Sequence, residues 1–189
     1  MGKKPLNEKQ IKTLRKLTEG KPLHSLLLNL SVDLMLRASD LLKLKVSDVM
    51  NEDRTVKEFV QVKQKKTGKK TIEIPLSENS KKVILRHLSD KSLERHIFIG
   101  QKSHYTGKAI STNQYQRIVK GWMSELGIED VSSYSSHSMR KTKASHLYSV
   151  TNNVEAVRRL LGHQSITATS SYLGVSDDDA TELAKLHSI

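Results

Sequence analysis

Apolar residues recur every three to four positions along most of this chain, and one interval between residues 56 and 76 breaks the pattern. A period near 3.6 marks helices that bury one face, whereas alternation marks strands. The spacing predicts a first helix after Asn7, with Gln10 at the capping-box position and Ile11, Leu14 and Leu17 facing inward. A second helix is expected over Leu23 to Leu36, with Leu26, Leu27, Leu30 and Leu34 buried, and Ser39 can cap a third through Leu44. The interval that departs reads VKEFVQVKQ, KKTGKK and TIEIPL. Two alternating runs around a basic turn containing glycine predict a β-hairpin, and Pro75 suits the end of an edge strand. Helical spacing returns after Ser77 and is cleanest from Ser111 to Leu126. There Tyr115, Ile118, Val119, Trp122, Met123 and Leu126 form one stripe, and Gly127 stands where a helix ends. Further helices are expected over His137 to Ser149, capped by Ser135 or Ser136, and over Asn153 to Leu161, ended by Gly162. In the latter, Val154, Val157, Leu160 and Leu161 face inward. A short helix should carry Tyr172, and a last one should begin at Asp177-Asp178-Asp179, acids suited to a helix N-terminal dipole. The expected fold class is mainly α with a small antiparallel β-sheet or hairpin.

Aromatic residues make up only 4% of the chain, so Leu, Val and Ile must fill its core. Lysine and arginine number 32 against 20 acids, a net charge of +12 that favours a polyanionic partner such as nucleic acid. A basic protein associated with ribosomes would share that charge. The chain has no cysteine, which removes disulfides, thiolate catalysis and cysteine-ligated zinc. No apolar run reaches the length of a membrane span, and the opening MGKKPLNEKQ lacks the apolar stretch of a secretory signal. A cytoplasmic location, at the nucleoid of a prokaryote or its phage, is the expectation.

Six residues carry the candidate chemistry. His137 and Arg140, in SSHSMRKTKASHLY, are three apart and project from one helix face. In RRLLGHQSITATSSYLGV, Gly162 stops a helix, His163 follows it, and Tyr172 comes nine residues after that histidine. Arg37 ends an apolar run in DLMLRASDLLKL, an odd place for a guanidinium unless its head turns toward an anion. Lys66 lies at the hairpin turn. Together they supply what phosphoryl transfer to a side chain needs. Two guanidiniums bind equatorial phosphate oxygens through charge-assisted hydrogen bonds. A phenol serves as nucleophile, a histidine takes or shares its proton, and a lysine protonates the leaving 5′-oxygen. No metal or other cofactor is required, because the cations neutralise the charge. Taken singly, each residue has a plainer reading. Arg37 could pair with Asp40, Lys66 sits among Lys63, Lys65, Lys69 and Lys70, His163 could cap a helix, and Tyr172 could be core. Lys65 or Lys69 could hold the catalytic place instead of Lys66. Trp122 is assigned to the core, and His24, His87, His96, His104 and His146 are left structural.

HxxR, then LGH, then a tyrosine nine residues on resembles the tyrosine recombinase (phage integrase) family. LRASDLLKLKVSDV is similar to that family's first-arginine box, with Asp40 as its acid, and QKKTGKKTIEIPL is similar to its β-hairpin with a lysine before Thr-Gly. The resemblance runs from about Asn7 to Gly174, and its weight lies in five motifs in order. It implies the catalytic-domain fold and a site-specific DNA recombinase that cuts and rejoins strands through a 3′-phosphotyrosine, in integration, excision or inversion. Arg37 and Arg140 would clamp the scissile phosphate, with Asp40 in support. Lys66 would be general acid, His137 would exchange a proton with the tyrosine, and His163 would hydrogen-bond the phosphate. Tyr172 would be the nucleophile. The implied partners are double-stranded DNA, further copies of the chain in a synaptic tetramer, and accessory DNA-bending or directionality proteins.

Residues 1–189 are expected to form one catalytic domain, with residues 1–6 as a tail and residues 176–189 as a helix that docks in trans. The N-terminal domain that clamps DNA in most of the family is not expected within this sequence, which is read either as a naturally single-domain recombinase, like the short invertases, or as an excised fragment, and Gln164 after LGH is a minor variation. Three other functions remain open: a non-catalytic DNA-binding module of this fold, a type IB topoisomerase, and an RNA-binding helical protein.

Overall fold

The computed structural model describes residues 2–100 and 107–175, together with Thr181 and Lys185. His104, and the helix expected from Asp177 onward with its docking in trans, lie outside the described residues apart from those two positions. The elements run α1 (Glu8–Thr18), α2 (Pro22–Leu34), α3 (Ala38–Leu41), α4 (Val46–Val49), β1 (Phe59–Val60) and β2 (Ile74–Pro75). Then follow α5 (Glu78–Leu88), α6 (Thr112–Glu125), a 3₁₀ turn (Val131–Ser133), α7 (Ser136–Thr151), α8 (Val154–Leu161) and α9 (Ile166–Leu173). Among the described residues no helix is long and apolar enough to cross a membrane.

The organising element is α2. Every residue from Ser25 to Leu34 is buried, as expected of a helix that is apolar nearly all round. Helices α1, α5 and α7 pack around it. Three of its buried polar side chains are bonded. Ser31 donates to the Leu28 carbonyl, Asn29 bonds Ser25 and Arg15, and Asp33 accepts the Ser77 N–H and faces Lys143. The main core is aliphatic, with Phe98, Tyr115 and Trp122 as its large members. Trp122 is in the core as expected, and its indole N–H donates to Nδ1 of His24 at 3.2 Å, which gives that histidine a structural role.

Caps form largely where the sequence placed them. Asn7 and Gln10 close a capping box on α1, Ser111 accepts the Gln114 N–H at the start of α6, and Ser135 accepts the His137 N–H at the start of α7. Gly127, at φ +70°, ends α6 with its N–H on Ser124 and that of Ile128 on Met123, the paired bonds of a Schellman turn.

Four expectations are corrected. Leu17 is exposed, and Thr18 takes the inward position on α1, its hydroxyl satisfied by the Leu14 carbonyl. Helix α2 stops at Leu34, not Leu36, because Met35 turns into the left-handed region at φ +48°. Residue 37, rather than Ser39, then stands at the N-cap of the one-turn helix α3. The hairpin ladder is sparse, pairing only Phe59 with Pro75 and Val60 with Ile74, then Lys63 with Lys70. Between these, the Thr71 hydroxyl takes the Val62 N–H in place of a backbone carbonyl.

Candidate active site

The left-handed step at Met35 is a local cost, about 1 kcal/mol for a residue with a Cβ, and packing repays it. Met35 leaves the main core and joins a second, smaller cluster with Ala144, Val157 and Leu161, against which Leu173 and the Tyr172 ring pack. This cluster joins the end of α2 to α7, α8 and α9, the elements that carry Arg37, His137, Arg140, His163 and Tyr172.

Arg140 is only 4% exposed. One N–H of its guanidinium donates to the Leu161 carbonyl at 2.6 Å, while its buried Nε has no partner. Burial pulls its pKa down to about 10, with Arg37 adding to the fall and Tyr172 and Asp40 opposing it. Arg37 donates from Nη1 to Gln64 Oε1 at 3.0 Å. Among the described residues, neither guanidinium makes an ion pair. Asp40, 1% exposed, does not pair with Arg37. Its Oδ1 accepts the Lys65 N–H at 2.8 Å, and its Oδ2 has no partner. The acid therefore fixes the backbone next to Lys66.

Gly162 ends α8 at φ +64°, with its N–H on the Arg159 carbonyl and that of His163 on the Arg158 carbonyl. The Arg158 guanidinium, gripped by Glu155, returns a bond to the His163 carbonyl at 2.7 Å. The histidine backbone is thus held from both sides. Its Nδ1 lies 3.2 Å from the Thr169 hydroxyl, whose proton goes to the Ser165 carbonyl. Nδ1 is then the donor, and neutral His163 presents a bare Nε2. Desolvation, then Arg140, Arg37 and Lys66, hold this imidazole down to about 4. His137 is lowered too, by desolvation first and then by Arg140, Arg37 and Lys3.

Tyr172 sits on α9 with its ring edge-on to His163, centroids 5.2 Å apart, and its hydroxyl donates to the His137 carbonyl at a loose 3.4 Å. Burial pushes the phenol up to about 12, against the pull of Arg140 and then Arg37. The phenol is therefore protonated at neutral pH, within the fields of both guanidiniums. Lys66 is on the exposed turn, close enough for its charge to act on His163.

The six residues singled out from sequence are thus linked to one another: the charges of Arg140, Arg37 and Lys66 act on His163, those of Arg140 and Arg37 act on His137 and Tyr172, and Tyr172 touches the His163 ring and the His137 carbonyl, with Asp40 tied to the backbone beside Lys66. Three neighbours were missed. Gln64 holds Arg37, Thr169 orients His163, and the Lys141 ammonium lies 5.8 Å from the Tyr172 ring centroid. Lys141 directly follows Arg140 on α7, and that adjacency to HxxR was the available signal. Nothing local marked Gln64 or Thr169.

The phage integrase family model matches residues 4–178. A probable integrase/recombinase of Bacillus subtilis is 34% identical over 79% of this chain and 75% of its own length. The tyrosine recombinase XerC of Neisseria gonorrhoeae is 28% identical over 78% of this chain, but the match spans only 46% of that protein. Among solved structures, the XerA recombinase superposes with a TM-score of 0.76 at 19% identity, covering the whole of this chain and 66% of that one. The XerH recombinase bound to palindromic difH substrate, a post-cleavage complex, gives 0.69 at 20% identity, covering 100% of this chain and 54% of that one. At that identity these likenesses concern the fold, which is that of tyrosine recombinase catalytic domains. The match over residues 4–178, together with the Bacillus subtilis relative, places this chain in the phage integrase family of tyrosine recombinases.

Proposed function

We propose that the protein is a site-specific DNA recombinase that cleaves and rejoins strands through Tyr172, with residues 4–178 acting as one catalytic unit. The observation that carries this is the phenol of Tyr172, edge-on to His163 and in the combined field of Arg140 and Arg37, two guanidiniums that among the described residues have no carboxylate partner. Such a pocket is built for an anion that is not part of the chain. A phosphodiester fits it. Arg37 and Arg140 bind its non-bridging oxygens, and the charge that grows there during attack meets preorganised donors. Family membership supports the same reading.

In the cleavage step the Tyr172 oxygen bonds to phosphorus and the bond from phosphorus to O5′ breaks. The products are a 3′-phosphotyrosine and a free 5′-hydroxyl. The phenol proton must leave first, since burial makes it a weak acid. His137, whose carbonyl accepts the tyrosine hydroxyl and whose imidazole burial holds below its ordinary value, is the group assigned to take it. Lys66 gives its proton to O5′ and is restored in the reverse step. It is preferred over Lys65 and Lys69 because its charge reaches His163. His163 hydrogen-bonds the phosphate. Attack by the 5′-hydroxyl of a second strand reseals the DNA. Exchange between two duplexes requires a tetramer in synapsis, and DNA as substrate places the protein at the nucleoid.

The test uses nicked duplexes with randomised core sequence, in which cleavage releases a short strand and traps the adduct. Wild type should give a covalent protein–DNA band on a denaturing gel, and Tyr172→Phe should give none while still shifting DNA on a native gel. A band that persists in Tyr172→Phe would remove the nucleophile assignment. No band with wild type would leave a DNA-binding module, and efficient relaxation of plasmids lacking a selected site would favour a topoisomerase.

A further inference from the structure

Gln64 lies outside the six-residue set, yet it is 5% exposed, with its side-chain oxygen, backbone N–H and carbonyl all bonded. We infer that Gln64 is a positioning residue for strand cleavage, holding the Arg37 guanidinium and the turn that carries Lys66 in one fixed relation. This rests on the recombinase reading above.

The side-chain oxygen of Gln64 accepts two donors, Arg37 Nη1 at 3.0 Å and the Thr67 hydroxyl at 3.1 Å. Its backbone N–H donates to the Lys69 carbonyl, and its carbonyl accepts the Gly68 N–H, each at 2.9 Å. All partners but Arg37 belong to residues 67–69, so one residue closes the turn around Lys66 and reaches across 27 positions to the phosphate clamp. The amide has room there because residue 162 is glycine. A Cβ at that position would stand 2.6 Å from Gln64 Nε2. A second tie runs beside the first, from Asp40 Oδ1 to the Lys65 N–H. Backbone bonds close the tip on itself, but the two-residue strands do not tie it to the Arg37 segment. The two ties from that segment do so in their place.

The chemistry of the amide matters as well. A neutral acceptor orients one N–H of Arg37 and leaves its full charge for the phosphate. A carboxylate at the same place would orient the guanidinium but compete with DNA for it. An apolar chain of similar length would fill the space and orient nothing.

These differences set the experiment, run on the nicked duplex selected with wild type and followed as adduct formation against DNA concentration. Thermal melts confirm that Gln64→Met and Gln64→Glu are folded. Gln64→Met should lower the cleavage rate at saturating DNA about 10- to 100-fold, as expected from loss of one hydrogen bond to a charged group. Gln64→Glu should recover most of that rate while requiring more DNA for half-saturation. A residue that merely packs against Gly162 would show no such split. Gln64→Met cleaving at the wild-type rate, or both variants equally slow at saturation, would overturn the inference. Absence of any adduct with wild type would instead overturn the recombinase reading, and this inference with it.

Discussion

Replacing Arg140 with methionine should make the protein more stable while abolishing cleavage. The guanidinium is 4% exposed, donates one bond to the Leu161 carbonyl, and leaves its buried Nε without a partner. The fall of its pKa from 12.5 to about 10 is led by desolvation. It means that folding disfavours the charged form by about 3 kcal/mol. The sign follows from linkage. Below pH 10 the residue is charged in both states, so the full cost is present at pH 7, and it is relieved only as pH rises through the folded value. Methionine matches the stem of the arginine as far as Nε, has a similar helix propensity, and removes that cost. It also removes the donor to Leu161, a loss of about 1–2 kcal/mol. The balance is a gain of about 1–2 kcal/mol, or about 3–6 °C in Tm for a chain of this size. The assay is thermal melting at pH 7 in a buffer without phosphate or sulfate. Added sulfate should stabilise wild type more than the variant and narrow the gap, because the anion supplies the missing counter-charge. A variant that melts at or below wild type in the anion-free buffer would refute the argument that Arg140 is held at a cost to the fold.

Two further outcomes are expected. Gly162→Ala combines the left-handed backbone at φ +64° with a Cβ 2.6 Å from Gln64 Nε2, so urea denaturation should show a loss of about 2 kcal/mol, roughly half from each source. Adding Gln64→Ala should relieve the steric half only, giving a favourable coupling of about 0.5–1 kcal/mol, and strict additivity would contradict the contact. For His163, held at about 4 when folded against 6.5 unfolded, no effect exists above pH 6.5. Below it the unfolded chain binds a proton that the folded one refuses, so stability falls as pH drops toward 4. His163→Gln should flatten that decline, and parallel stability curves for the two proteins would exclude the depressed histidine.

What could be read from the sequence was what neighbouring residues decide among themselves. The cap at Asn7, the cap at Ser135 (one of the two serines offered) and the helix end at Gly127 are settled within six residues of chain and formed as expected, and Ser111 caps α6 by the same local bond although only the stripe that follows it was read. The six site residues were legible because ordered motifs with fixed internal spacing name them, not because any one side chain announces its role. What escaped depends on distant partners. Met35 carries no mark of a left-handed residue, and it is held there by Ala144, Val157 and Leu161. Leu17 looked buried by period alone, yet Thr18 took the inward place because its hydroxyl could bond to the preceding turn. Gln64 reads as one polar residue in a basic run, and its partners stand 27 and 98 positions away, at Arg37 and Gly162.

Burial first, and the cations of the site after it, hold His163 in its neutral form. Arg140, Arg37 and Lys66 all lower it, and the Lys141 ammonium sits over the adjoining tyrosine ring. The nearest buried acid, Asp40, has given one oxygen to the Lys65 N–H and neutralises little. In that state Nε2 of His163 is bare, because Nδ1 donates to Thr169, and a bare nitrogen repels an anionic oxygen. A phosphodiester entering between the guanidiniums cancels much of the field that kept the proton away. Removal of that part of the field is expected to raise the basicity of the imidazole, so that it can take a proton from solvent and donate it to the phosphate. The expected outcome is a His163 pKa that rises when a duplex is bound, read by NMR titration with and without DNA, and an unchanged value would refute the coupling.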